Sequence, residues 1–246
     1  EVQDLSPQRA VAIIDWPQSG RILDYCAGGG GKALAIAARS DAAIHVHDVN
    51  PARMRDIAPR AERAKVTLHP FDNTLKYDVV LTDVPCSGSG TWRRDPEAKW
   101  HLAPERLDDL TQIQAQIMDE AAALLRPGGR LVYMTCSLLC EENEDQVAAF
   151  LARHRGWSRT TMARFAPPEA SDGFFVAAAS ITLTALLLFL SKRRARARDH
   201  ALLVTAGKVA ADDPVPVFCT DAAGAIIFQN RAAEDRFKDR LDQSMS

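Results

Sequence analysis

Two of the five cysteines stand where a thiol could do chemistry. Cys86 follows a predicted strand and comes directly after a proline, and Cys136 follows another predicted strand and comes directly before a serine. An isolated buried cysteine is generally a small apolar side chain, which is our expectation for Cys140 and Cys219. Cys86 and Cys136 are predicted instead to reach the same edge of a sheet, where a thiolate can act as a nucleophile.

A run of four glycines, Gly28–Gly31, separates a short apolar strand from an Ala-rich helix. Such a loop directs free backbone N–H groups to one point, where the polar end of a ligand can bind. A phosphate-binding P-loop is disfavoured because Cys26 and Ala33 break its pattern. A dinucleotide fingerprint fits Gly28 and Gly30 but has Ala33 in place of its third glycine. The methionine end of S-adenosylmethionine, which needs close backbone approach and a nearby carboxylate, is the third alternative.

Four aspartates end predicted strands, or lie within two residues of a strand end. They are Asp24, Asp48, Asp72 and Asp83. Ligands of open α/β sheets bind outside the carboxyl ends of the strands. Asp48 follows the glycine loop by about 20 residues, the distance at which a carboxylate can accept hydrogen bonds from a ribose diol. Together the four aspartates favour a ligand that contains adenosine.

These residues require a sheet to position them. Apolar runs predict strands over residues 22–25, 44–48, 66–71, 77–82 and 130–135. Helical spacing and capping residues predict helices over about 8–16, 51–64, 105–125 and 141–154, with a shorter one at 33–38. Strands that alternate with helices at this spacing predict an α/β fold, with a mostly parallel sheet and helices on both faces. Glu141, Glu142 and Glu144 are typical of a solvated helix start.

The composition is that of a globular protein, with 47% hydrophobic and 25% charged residues. Because the net charge is −2, any contact with nucleic acid must come from a local basic patch. Arg93, Arg94 and Lys99, with Trp92 and Trp100 among them, form the candidate patch for stacking and phosphate binding. The cysteines show no spacing typical of a metal site, and their odd number disfavours a disulfide scaffold. The chain begins with a glutamate, so we expect it to be a fragment.

Several stretches of the chain, in order, resemble the RsmB/NSUN family of RNA cytosine-5 methyltransferases. The main three are Asp24-Tyr-Cys-Ala-Gly-Gly-Gly-Gly-Lys32, the stretch from Asp83 through Pro85-Cys86-Ser87, and Thr135-Cys136-Ser137. Val2-Gln-Asp-Leu-Ser also resembles the opening motif of the family, and Asp172-Gly-Phe-Phe-Val-Ala its last strand. The resemblance covers roughly residues 1–178. Gly28-Gly29 is a departure, since many relatives have Ala-Pro there.

The resemblance implies a Rossmann-like fold and a covalent reaction that uses S-adenosylmethionine. Cys136 would attack carbon 6 of the cytosine, Cys86 would assist elimination, and Asp83 would hydrogen-bond the amino edge of the base. The target base must leave its stack to reach such a pocket. The residues predicted to bind the cofactor are Cys26, Ala27, Gly28, Gly29, Gly30, Gly31, Lys32, Asp48, Asp72 and Asp83.

The C-terminal part of the chain has a different character. Residues 174–190 carry no charge and precede a basic cluster; as a helix they would reach roughly 26 Å, short of a bilayer core of about 30 Å. Residues 215–237 resemble the opening hairpin and helix of a PAS domain from a bacterial sensor kinase. We therefore predict a catalytic domain over 1–178, an apolar helix and basic linker over 179–200, and a partial PAS-like fragment over 201–246.

Two other functions compete with RNA methylation. In a DNA cytosine-5 methyltransferase Cys86 would attack, but Thr135-Cys136-Ser137 and the lack of a large recognition insert disfavour this reading. A membrane-anchored signalling fragment is supported by residues 174–246 alone, and membrane contact is expected only if the apolar run is a true anchor. The favoured prediction is a cytoplasmic, monomeric enzyme without a metal, which acts on RNA, with ribosomal RNA preferred over transfer RNA.

Overall fold

A seven-stranded sheet forms the centre of the first of two units, Glu1–Leu186 and Leu187–Ser246. The computed structural model describes residues 3–181, 191, 218–220, 226–229 and 231–234. The strands of the sheet are β1 (Arg21–Asp24), β2 (Ala43–Val46), β3 (Leu68–Pro70), β4 (Tyr77–Asp83), β5 (Leu125–Thr135), β6 (Trp157–Phe165) and β7 (Phe174–Ile181). Their order is β3-β2-β1-β4-β5-β7-β6. The first five strands in that order are parallel, and β7 runs antiparallel between β5 and β6.

Five helices accompany these strands in the described part of the first unit. They are α1 (Leu5–Ala12), α2 (Gly31–Ala37), α3 (Ile57–Ala64), α4 (Pro104–Leu124) and α5 (Glu144–Arg153). The helix predicted over 51–64 is divided, because Asn50 caps a separate 3-10 turn, Pro51–Met54, ahead of α3. Short 3-10 turns also occupy Ser89–Thr91, Ala98–His101 and Cys140–Glu142.

Alternate residues of the central strands face opposite sides of the sheet and build two apolar layers. Ile22, Leu81 and Met134 lie in the layer that contains residues of α1 and α2. Leu23 and Tyr133 lie in the other layer, which contains Met118 and Ala121 of α4 and Val147 and Phe150 of α5. The α/β class, the mostly parallel sheet and the helices on both faces are thus confirmed.

The apolar run that begins at residue 174 is a strand for its first eight residues. β7 is hydrogen-bonded to β5 on one side and to β6 on the other, and Phe174 to Ala179 are buried. A strand covered in this way reads as a continuous apolar segment, which periodicity alone cannot distinguish from a buried helix. The prediction of an apolar helix is therefore wrong for residues 179–181, and residues 182–190 lie outside the described residues. In the described part of the chain, no helix has the length and apolar character needed to cross a membrane.

The described part of the second unit contains a short hairpin. β8 (Phe218–Thr220) pairs antiparallel with β9 (Ile226–Gln229), and residues 231–234 are helical. A hairpin followed by a helix is the order expected from the resemblance to a PAS domain, and that identity stays a prediction.

The end of β7 gives a test of how far the first unit extends. Ala179, Ser180 and Ile181 pair with residues of β6, and the first two also pair with β5. A chain that ends at residue 178 should therefore unfold at lower urea concentration than one that ends at Leu186, with a loss of about 2 kcal/mol or more for several backbone hydrogen bonds. Equal unfolding midpoints would show that these three residues contribute nothing to the sheet.

Candidate active site

The loops that carry the predicted site residues meet at the carboxyl ends of β1, β4 and β5. The chain passes from β1 to β2 on one side and later places β4 on the other side, so a crevice opens where the strand order reverses. The glycine loop follows β1, Asp48 follows β2, Asp83 ends β4, and Cys136 follows β5. The structure thus brings most of the predicted residues to one edge of the sheet.

The glycine loop has a backbone that other residues would strain. Gly28 and Gly30 have positive φ angles of 50° and 79°, and a Cβ on Gly30 would lie 3.0 Å from Cγ1 of Ile57. The loop is held from outside by Arg60, whose Nη1 donates to the Gly29 carbonyl at 2.6 Å. Its glycines are therefore required by backbone conformation and by the close approach of α3.

Asp48 joins the loops that follow β1 and β2. Its buried carboxylate accepts hydrogen bonds from the backbone N–H of Gly28 and of Asn50, both at 2.9 Å. Nη1 of Arg53 lies 3.5 Å from the same carboxylate. Asp48 thus fixes the backbone beside the crevice, a role that the sequence did not predict.

A cavity of about 360 Å³ adjoins Asp48. Its mostly apolar wall comes from α4 and from the loops that follow β1, β2 and β4. The lining residues include Cys26, Asp48, Val49, Pro85, Ile113 and Ile117. Val49 is 91% exposed, so its side chain is free to contact a planar ring. An apolar slot with a carboxylate at its rim fits an aromatic base and its ribose.

Asp24 is the carboxylate that most clearly lacks a partner. It is 1% exposed, and within the described residues neither carboxylate oxygen has a hydrogen-bond partner. Burial raises the pKa of Asp24 to about 7; Lys32 opposes that rise, and Asp83 adds to it. An unpartnered buried carboxylate beside the glycine loop fits the cationic end of a ligand. The glycine loop, the slot and Asp24 together fit S-adenosylmethionine.

Asp72 lies apart from this group. Its Oδ1 accepts hydrogen bonds from the backbone N–H of Thr74 at 2.8 Å and from Oγ1 of Thr74 at 2.6 Å. It lines a different, open cavity together with His45 and His69. Of the predicted cofactor-binding residues, Asp72 is thus the one that the structure does not bring to the crevice.

Lys32 and Asp83 form an ion pair at the floor of a second cavity, of about 200 Å³, which Cys136 also lines. Burial alone would lower the pKa of Lys32, but Asp83 and Asp24 outweigh it and raise that pKa. Nζ of Lys32 also lies 5.4 Å from the centroid of the Phe174 ring. The Lys32 ammonium group therefore stays charged, and it lines the same cavity as Cys136.

The two cysteines contact each other directly, with Sγ of Cys86 3.2 Å from Sγ of Cys136. A hydrogen bond from the Cys86 thiol lowers the pKa of Cys136, against burial and the charge of Asp83 and with help from Lys32. The same hydrogen bond, together with burial, raises the pKa of Cys86 above its usual range. The pair therefore favours one thiolate, on Cys136, and one thiol, on Cys86.

The predicted RNA-binding arginines are engaged in ion pairs. Nη2 of Arg93 and Nε of Arg94 lie 3.1 and 2.7 Å from the carboxylate of Asp172, which is buried. Both arginine side chains remain more than half exposed. Lys99 lies over the ring of Trp100, at 4.8 Å from its centroid, and Trp100 is 79% exposed. Lys99 and Trp100 are exposed and lie in the 3-10 turn Ala98–His101. Arg93 and Arg94 instead connect the loop after β4 to the loop before β7 through Asp172.

Glu142 and Asn143 are the residues that sequence reasoning missed. The sequence predicts Glu142 in a solvated helix start, but both side chains are fully buried between the loops that follow β4 and β5. The sequence signal for them was their position shortly after Thr135-Cys136-Ser137. It could not reveal a role, because the partner of Glu142 is Ser87, which lies 55 residues earlier in the chain.

Comparison with known proteins identifies the domain. Residues 11–180 match the family model described as 16S rRNA methyltransferase RsmB/F. Ribosomal RNA small subunit methyltransferase B of Xylella fastidiosa (strain 9a5c) is 40% identical over 163 residues, 62% of this chain and 39% of that protein. The protein of the same description from Yersinia pseudotuberculosis serotype O:1b (strain IP 31758) is 36% identical over 196 residues, 72% of this chain and 46% of that protein. The chain thus spans less than half the length of these relatives.

A solved structure gives a similar result. The crystal structure of NSun6 from Pyrococcus horikoshii with SFG, an analogue of S-adenosylmethionine, aligns with a TM-score of 0.64 and 25% sequence identity. The alignment covers 73% of this chain and 52% of that chain.

The cysteine pair can be tested without RNA by alkylation. Because the Cys86 thiol lowers the pKa of Cys136, iodoacetamide should modify Cys136 with a pH midpoint below that of an ordinary thiol, about 8.5. In Cys86→Ala that hydrogen bond is lost, so the midpoint should move to higher pH, as followed by mass spectrometry of the Cys136 peptide. Cys140→Ala is the control and should leave the midpoint unchanged. A midpoint in Cys86→Ala equal to or below that of the parent chain would contradict the assignment of the thiolate.

Proposed function

Because the chain belongs to the 16S rRNA methyltransferase RsmB/F family, we propose that it transfers a methyl group from S-adenosylmethionine to carbon 5 of a cytosine in RNA. The names of its relatives favour ribosomal RNA over transfer RNA as the substrate. Both the methyl donor and ribosomal RNA are found in the cytoplasm, where we expect the enzyme to act.

One observation carries this proposal, namely the direct contact of Cys86 and Cys136 beside the Lys32–Asp83 ion pair. Carbon 5 of cytosine is a poor nucleophile, so a C5 methyltransferase must first activate the ring. A thiolate that adds to carbon 6 makes carbon 5 enamine-like, and a second group must then help to remove the carbon-5 proton and release the thiol. Two neighbouring cysteines suit these two tasks if the thiolate is first on Cys136, for attack, and later on Cys86, for removal of the proton.

Cys136 is the proposed nucleophile because its thiolate is the favoured state. Lys32 stabilises that thiolate, and the Cys86 S–H donates to it until the cytosine arrives. Once Cys136 is bonded to carbon 6, the thiolate that raised the pKa of Cys86 is gone, so Cys86 can release its proton to water. After the methyl group has reached carbon 5, the Cys86 thiolate takes the carbon-5 proton, the electrons of that C–H bond form the double bond between carbons 5 and 6, and the bond between Cys136 and carbon 6 breaks. The Cys136 sulfur then regains the thiolate state.

Asp83 is proposed to bind the amino edge of the cytosine. Its carboxylate already pairs with Lys32, so the incoming amino group must share it with that cation. Because Lys32 and Cys136 line the same cavity, this sharing would orient the base with carbon 6 toward the thiolate.

When bound, the cofactor supplies the methyl group. Residues of this chain would hold its methionine end and its adenosine separately. The glycine loop from Cys26 to Lys32 would give backbone N–H groups to its methionine end, and Asp24 would pair with the ammonium group. Asp48 would accept hydrogen bonds from the ribose hydroxyl groups, and Val49 and Pro85 would contact the adenine.

For RNA, the exposed Lys99 and Trp100 offer a phosphate contact and a stacking surface, with Arg93 and Arg94 beside them.

Cofactor binding should depend on Gly30. Gly30→Val puts a branched side chain on a backbone with positive φ and against Ile57, so affinity for S-adenosylmethionine should fall at least about tenfold in calorimetry. Gly128→Val is the matched control, since Gly128 also has a positive φ but lies at an exposed position near the start of β5, at the end of the strand opposite the crevice. If Gly30→Val binds as well as Gly128→Val does, the glycine loop is not the cofactor site.

The two cysteines should fail in different ways when the protein is given RNA. Cys136→Ala cannot add to carbon 6, so neither methylated RNA nor a covalent adduct should form. Cys86→Ala should still attack and methylate, then stall before elimination and accumulate an adduct that survives denaturing electrophoresis. The reverse pattern, with no adduct in Cys86→Ala and activity in Cys136→Ala, would exchange the two roles and favour the DNA-type reaction.

A further inference from the structure

The backbone on both sides of Cys86 is held by buried side chains. The Pro85 carbonyl accepts a hydrogen bond from Nε2 of Gln114 at 2.9 Å. The Ser87 N–H donates to Oε1 of Glu142 at 2.8 Å, and the Ser87 hydroxyl donates to Oε2 of Glu142 at 2.5 Å. Cys86 therefore sits between two anchored peptide groups, and Glu142 supplies both acceptors on one side.

The residues on both sides of Cys136 are held in the same way by Asn143. The Thr135 hydroxyl donates to Oδ1 of Asn143 at 2.5 Å, and Nδ2 of Asn143 donates to the Ser137 carbonyl at 2.9 Å. Cys136 thus lies between two groups that contact a single amide side chain.

Glu142 and Asn143 are consecutive, so one peptide unit connects the two anchored loops. Glu142, Asn143 and Gln114 are each 0% exposed. The Glu142 carboxylate also accepts from Nε2 of Gln114 at 2.9 Å, and the Glu142 carbonyl accepts from the Tyr133 hydroxyl at 2.6 Å. A buried carboxylate is costly unless hydrogen bonds satisfy it, and here three donors from α4 and the β4 loop do so.

We propose that Glu142 and Asn143 are positioning residues that hold Cys86 and Cys136 in contact, Glu142 through Ser87 and Asn143 through Thr135 and Ser137. The proposal rests on the proposed function in one respect, since it assigns this contact to the elimination step. A displaced Cys86 would leave attack by Cys136 possible but would slow release of the product. The negative charge of Glu142 also helps to raise the pKa of Cys86, which favours the thiolate on Cys136 while the two sulfurs are in contact.

The positioning role can be measured in the full chain without RNA. A short bifunctional thiol reagent should link Cys86 to Cys136 readily in the parent chain, as detected by mass spectrometry of the joined peptides. In Glu142→Ala three donors lose their acceptor, and we expect the rate of linking to fall about tenfold or more. Glu142→Gln keeps an acceptor for Ser87 and should recover most of the rate, while Glu141→Ala, at an exposed neighbour, should match the parent chain.

Two milder variants keep the test decisive if Glu142→Ala does not fold. Ser87→Ala removes the hydroxyl that donates to Glu142 and accepts from the Ser89 N–H but keeps the Ser87 backbone donor. Asn143→Ala releases the Cys136 side of the pair. Each should lower the linking rate while the affinity for S-adenosylmethionine stays unchanged. Linking at the parental rate in all folded variants would overturn the proposal, as would a parent chain that does not link.

Measuring turnover with RNA distinguishes a failure of the positioning role of Glu142 from a failure of the proposed RNA methylation. Glu142→Ala should lower kcat about tenfold or more at unchanged KM for RNA and should accumulate covalent adduct, and Glu142→Gln should restore turnover. If the parent chain methylates RNA and Glu142→Ala does so at the same kcat, the positioning role is wrong. If the linking rates follow the expected order but the parent chain methylates no RNA, the proposed function fails and the structural role of Glu142 and Asn143 survives.

Discussion

The close approach of the loops after β4 and β5 is the constraint on which the rest of the site depends. The Gly90 N–H donates to the Cys136 carbonyl at 2.9 Å, and the Gly173 N–H donates to the Gly90 carbonyl at 2.9 Å. A Cβ on Gly90 would lie 2.4 Å from the Gly173 oxygen, so only glycine allows this backbone contact. Because these glycines let the backbones of three loops touch, the two cysteine sulfurs can come within 3.2 Å of each other.

That contact makes two chemically identical side chains different. In a hydrogen bond between two sulfurs, one donates its proton and the other accepts it. When one sulfur is a thiolate, the S–H of the other therefore stabilises its charge. Lys32 lies on the Cys136 side and Glu142 on the Cys86 side, and both charges favour the same outcome. Asp24, whose carboxylate oxygens have no hydrogen-bond partner within the described residues, suits a ligand with a cationic end. The hydrogen bond and the charge of Lys32 thus outweigh burial and Asp83 at Cys136, while Glu142 helps to raise the pKa of Cys86. The proposed mechanism uses the resulting difference between the two sulfurs.

The sequence predicted well what depends on strand ends and poorly what depends on packing between distant segments. Asp48, Asp83, Cys86 and Cys136 could be placed because parallel strands bring their carboxyl ends to one edge. The edge strand β6 was not predicted, since its half-exposed face gives a weak alternation. β7 in turn is covered on both sides, so its last residues resembled a helix. The roles of Glu142 and of the ion pairs made by Arg93 and Arg94 require knowledge of partners far along the chain.

The identity of the attacking sulfur tests the account most directly. RNA that contains 5-fluorocytidine should trap the enzyme, because fluorine on carbon 5 cannot leave as a proton does and the thiol cannot be released. After digestion of the trapped complex, mass spectrometry should find the nucleotide on the peptide that contains Cys136. Attachment to the Cys86 peptide would contradict the account, because the sulfur that the structure favours as the thiol would then be the nucleophile.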